Sequence, residues 1–182
     1  MQDAVASAAG EEETDAFILW VLIWSELAAF GVLIGAFLVA SIVSPEDFAV
    51  ARLHLKPGIA ALNTLVLLTS GWQAAVAAGK GASTAKKRRA LVIAALLGFL
   101  FVAIKFYEYG TELRFAGEDA FQSFFELYFL LTGFHLVHVA FVGVVLLLVA
   151  WKPRPANVDL ATTLWHVIDL VWIVMFPVLY LA

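Results

Sequence analysis

Two apolar stretches near the C-terminus carry histidines: Thr132-Gly133-Phe134-His135-Leu136-Val137-His138-Val139 and Trp165-His166-Val167-Ile168-Asp169-Leu170-Val171-Trp172. His135 and His138 stand at i and i+3, about 60° apart on one helical face. So placed, they could ligate a metal, or a haem shared with His166 from the second stretch. They could equally be satisfied by hydrogen bonds across a helical bundle, each worth about 0.6–2 kcal/mol in a membrane. Histidine-only metal sites have no distinctive spacing that would decide between the two. His166 and Asp169 repeat the i, i+3 spacing. A carboxylate can orient an imidazole and favour its protonated form, which makes a proton relay in a transporter and a self-neutralising pair in a bundle.

Three more ionisable residues lie in apolar surroundings. Lys105 and Glu108 form an oppositely charged i, i+3 pair, and their place near one end of an apolar run suggests snorkelling with mutual neutralisation. Glu26 follows Trp20 and Trp24 with no basic residue within a turn. Its carboxyl must find a partner on another helix or hold a proton. His135, His138 and His166 are the imidazoles at the right depth. An intramembrane acid is a functional-site hypothesis by default, and Glu26 stands open between a structural hydrogen bond and a proton-linked role. Glycine-flanked serine elbows and phosphate-binding glycine loops are absent, as Gly79-Lys80-Gly81 reads only as a turn.

The elements that must position these residues follow from composition. Of 182 residues, 63% are apolar and 14% charged, against about 45–50% and about 25% in ordinary globular domains. That is the composition of an integral membrane protein. The chain has no cysteine, which excludes disulfides, cysteine-ligated zinc, iron–sulfur clusters and thiolate copper. Five segments approach or exceed the ~20 apolar residues needed to cross the hydrocarbon core. They cover about 17–43, 58–78, 90–109, 124–151 and 160–181. The expected fold is all-α, a single five-helix transmembrane bundle over residues 16–182. Residues 1–15 form an acidic, Ala-rich leader that reads as disordered, and it lacks the basic start of a cleaved signal peptide. Small residues at four-residue spacing, Gly31 with Gly35 and Ala94 with Gly98, suggest close helix approach.

Basic residues set the expected orientation. Lys80, Lys86, Lys87, Arg88 and Arg89 fall between spans two and three, and Lys152 and Arg154 between spans four and five. The opposite side holds Arg52, Lys56 and Arg114. The N-terminus is therefore expected in the cytoplasm and the C-terminus outside. The basic cluster serves orientation, and no run suggests nucleic-acid binding.

In combination these residues resemble the subunit III family of haem–copper oxidases. Thr132-Gly133-Phe134-His135 with His138-Val139 is similar to that family's penultimate helix. Trp165 to Trp172 resembles its last helix, with the pattern Trp-His-x-x-Asp-x-Val-Trp. Ser25-Glu26, Leu62-Asn63-Thr64 with Leu68-Thr69-Ser70, and Glu108-Tyr109 resemble motifs of the three preceding helices, in family order. Long mitochondrial-type members have seven spans, and the five here correspond to their last five. Short five-span members occur as subunit III of quinol oxidases and as proteins associated with nitric oxide reductase. Lys105 stands where long members often carry glutamine, which, with the stretch Leu67-Leu68-Thr69-Ser70, leans toward the second group.

The resemblance implies a non-catalytic accessory subunit with no haem or metal of its own. It implies a large haem-binding catalytic partner subunit, bound phospholipid between helices, and a role in stabilising the assembly. Glu26, Asn63, Lys105, Glu108, His135, His138, His166 and Asp169 become buried polar ties or contacts to lipid or partner. The residues themselves leave two alternatives: a histidine-ligated haem redox protein, or a proton-coupled carrier using Glu26 and the His166–Asp169 pair. Against the carrier, the chain shows no internal repeat and no proline at a broken midplane helix.

Overall fold

The computed structural model describes residues 2–114, 116 and 121–181, with side chains of the first helix described at Phe17 and from Trp20 onward. Among these residues every regular element is a helix: α1 (Gln2–Val43), α2 (Pro45–Arg52), α3 (Pro57–Ala78), α4 (Thr84–Glu112), α5 (Gln122–Trp151) and α6 (Pro155–Tyr180). Five are long and apolar enough to cross a membrane, with the spanning part of α1 beginning at Trp20. This is a multi-pass membrane protein.

Helix ends depart from the sequence expectation at several points, each with a local cause. α1 begins at Gln2 and so takes in the acidic leader, where disorder was expected. That segment is rich in Ala and Glu, which are strong helix formers. α4 begins at Thr84, so Lys86, Lys87, Arg88 and Arg89 ride on its first turns and not on a loop. Ser83 caps it, its hydroxyl accepting from Lys86 N–H at 3.3 Å. α2 was not expected at all. It has proline at its first position, Glu46 and Asp47 in its first turn and Arg52 in its last.

α3, α4, α5 and α6 form a closed ring, each packed on two neighbours, and α1 lies outside it against α5 and α6. The core between them is aromatic. Phe101 of α4 meets Trp172 of α6 across the ring at 4.8 Å between centroids. Gly98 lets Trp165 cross the same space: a Cβ at Gly98 would collide with the Trp165 ring. The second small-residue pair behaves otherwise. Nothing lies within 4 Å of where a Cβ on Gly31 or Gly35 would stand, so these glycines make no close helix approach within this chain. Phe37, Phe48 and Phe124 stack edge-to-face at 5.2–5.6 Å, which fastens α2 to α1 and α5. Arg52 adds a hydrogen bond from its guanidinium to the Val178 carbonyl of α6, at 3.3 Å.

Candidate functional site

The polar residues inside the bundle separate into three groups. The largest lies at the end of the ring away from Lys86, Lys87, Arg88 and Arg89, which stand at the start of α4. Lys105 of α4 donates to Glu108 Oε2 at 3.0 Å, to the Tyr128 hydroxyl at 2.7 Å and to the Tyr180 hydroxyl at 2.7 Å. All three ammonium protons are thereby used. Each tyrosine passes its own proton on, Tyr180 to Glu108 Oε1 at 2.8 Å and Tyr128 to Glu112 Oε1 at 3.1 Å. The rings of Tyr109, Tyr128, Trp172 and Tyr180 surround the ammonium at 4.8–5.7 Å from their centroids. Lys105, Glu108 and Glu112 have no exposed surface. Snorkelling is therefore not what accommodates the Lys105–Glu108 pair: tyrosines from α5 and α6 seal it in, and it ties three helices together.

Glu112, Tyr128 and Tyr180 were missed by sequence reasoning. Glu112 was legible, because Lys105, Glu108 and Glu112 fall at i, i+3 and i+7 on one helical face. It lies beyond the apolar run, which ends at about residue 109, but within α4 (Thr84–Glu112). The two tyrosines gave no signal, since an aromatic in an apolar helix reads as core.

The second group joins α1 to α5. His138 Nδ1 lies 2.7 Å from the Phe134 carbonyl one turn back, which fixes a proton on that nitrogen. Its Nε2 stands 2.8 Å from Glu26 Oε2. The separation is that of an ion pair, although the ring and carboxylate are not aligned for a hydrogen bond. Of the three imidazoles considered as partners for Glu26, His138 is the one it meets.

His135, one turn away, is fully buried and neither ring nitrogen has a hydrogen-bond partner. It stacks on Trp172 at 5.2 Å, with Phe30 and Phe101 edge-on at 6.0 and 5.7 Å. Asn63 lies below, donating to the Phe101 carbonyl at 3.1 Å. Ser70 donates to the Ala94 carbonyl at 2.7 Å, and Trp172 to the Thr64 hydroxyl at 2.9 Å. These bonds bind α3 to α4 and α6.

The third group is on the outer flank of α3 and α6. His166 Nδ1 and Asp169 Oδ2 are 3.9 Å apart. They line an open groove of about 330 Å3 with Leu68, Gly71 and Trp72. His138 faces elsewhere, into a cavity of about 130 Å3 between α1, α5 and α6. Of the histidines that sequence spacing allowed as one haem-ligating set, His135 and His138 both pack on Phe30, while His166 lies apart in the α3–α6 groove. Among the described residues no three His, Asp or Glu side chains come close enough to hold a metal ion.

The whole length of this arrangement, residues 16–182, matches the family model described as cytochrome c oxidase subunit III. Similar proteins include a cytochrome c oxidase subunit 3 of Thermostichus vulcanus, 29% identical over 98% of this chain and 93% of its own length. Another is the cytochrome c oxidase subunit 3 of a Synechocystis strain, 28% identical over 94% of this chain and 77% of its own. A probable quinol oxidase subunit 3 of Staphylococcus saprophyticus is 27% identical over 89% and 86%. With five membrane-crossing helices and a family match along nearly all of it, the chain belongs to the cytochrome c oxidase subunit III family.

Proposed function

We propose that this chain is a non-catalytic accessory subunit of a respiratory haem–copper oxidase, seated beside a large haem-binding catalytic subunit that it stabilises. The observation that carries this reading is the family match over residues 16–182. The fate of the buried polar groups supports it. Lys105, Glu108 and Asn63 spend their hydrogen bonds on other helices of the same chain, and His138 pairs with Glu26. His135 is enclosed by aromatic rings. Side chains that tie helices together are not poised to exchange ligands or protons, and the haem and metals are assigned to the partner. The histidine-ligated haem alternative is disfavoured because His138 and His166 line two different cavities. The carrier alternative is disfavoured because α6 runs unbroken through Pro177, near its end.

In this reading the N-terminus and the basic residues lie on the cytoplasmic side of a bacterial inner membrane, and the C-terminus lies outside. Phospholipid is bound against the helices. The α4 surface supports this, since Arg88 and Arg89 stand above Val92 and Ile93 around an open hollow of about 590 Å3. That places positive charge over apolar surface, the pairing a phospholipid presents in reverse. A nitric oxide reductase is the second possible setting, favoured by Lys105 in the place where long family members often carry glutamine.

Affinity purification in mild detergent from native membranes tests the proposal. A many-helix haem-binding subunit is expected in about equal amount, and its identity distinguishes oxygen from nitric oxide chemistry. Phosphorus analysis of the washed complex is expected to find retained phospholipid. Recovery of the folded chain alone, with a Soret band lost on His138→Ala or His166→Ala, would overturn the proposal in favour of a haem protein.

A further inference from the structure

We draw no further inference here: the strongest candidate, the cavity of about 130 Å3 between α1, α5 and α6 whose polar wall is Glu26 and His138, belongs to the site already described, where those two side chains pair with each other and the rest of the lining is apolar.

Discussion

Lys105 Nζ and Glu108 Oε2 stand 3.0 Å apart with neither side chain reaching the surface, and the hydroxyls of Tyr128 and Tyr180 complete the ammonium's shell. A charge pair so sealed holds only while each member has the other, because removing one partner strands the other in a low-dielectric interior. Lys105→Met is therefore expected to destabilise the folded chain by about 3–5 kcal/mol. The double variant Lys105→Met with Glu108→Leu is expected to lose less than Lys105→Met alone, since no ion then lacks its counterpart at that position. Reversible unfolding in mixed micelles measures both. A double variant worse than the sum of its singles would show that the tyrosine network, and not the ion pair, is the sensitive element.

α1 stands outside the four-helix ring, and Glu26–His138 is its polar fastening to α5. Both side chains are largely shielded, so the pair is expected to show a coupling of about 0.6–2 kcal/mol in a double-mutant cycle, the range for interhelical polar contacts in membranes. Glu26→Gln is the milder single change, because its amide N–H can still be donated to a neutral imidazole. His138→Leu removes the acceptor and the bond to the Phe134 carbonyl together. Coupling indistinguishable from zero would mean that α1 is held by its apolar contacts alone.

The sequence made the spans legible because apolar runs of about 20 residues have few other uses, and it singled out Asn63, Lys105, Glu108, His135 and Asp169, which are buried, together with His166, which is 46% exposed. It did not reveal which of them meet. His135 and His138 are three residues apart on one helix, yet one is wrapped in aromatic rings and the other pairs with α1. That difference is set by a rotation of α5 against its neighbours, which spacing along one helix does not encode. Tyr128 and Tyr180 went unread for a related reason: their hydroxyls matter only because α5 and α6 bring them to Lys105. The short α2 shows the opposite failure. Its Pro-Glu-Asp start and terminal Arg52 were in view, but eight residues between two spans read as loop.

Gly98 and Gly31 make opposite predictions from the same substitution. Gly98→Ala drives a methyl into the fully buried Trp165 ring, which has no free volume to move into. The expected loss is about 1–3 kcal/mol, the range for overpacking a filled core. Trp165→Phe on the Gly98→Ala background should recover part of it. Gly31→Ala meets open space, so helix propensity decides, and a gain of up to about 1 kcal/mol is expected. Melting curves of the isolated chain distinguish the two. A loss at Gly31 equal to that at Gly98 would contradict the placement of α1.

Arg88 performs a task that its membership of a basic cluster conceals. Its Nε donates to the Ala150 carbonyl at 3.0 Å and its Nη2 to the Trp151 carbonyl at 2.8 Å. The last carbonyls of a helix have no partner within it, and a cation there also meets the negative end of the helix dipole. The guanidinium of α4 thus caps α5 and holds the turn into α6, which begins at Pro155. Lysine would keep the charge but present a single nitrogen, without the planar fork that reaches two carbonyls at once. Hydrogen exchange at residues 150–154 is therefore expected to quicken most in Arg88→Ala and by less in Arg88→Lys. Arg89→Ala, which removes the neighbouring charge, should leave those amides nearly unchanged. If Arg88→Ala and Arg89→Ala quickened exchange equally, the effect would be one of general positive charge and the specific cap would be refuted.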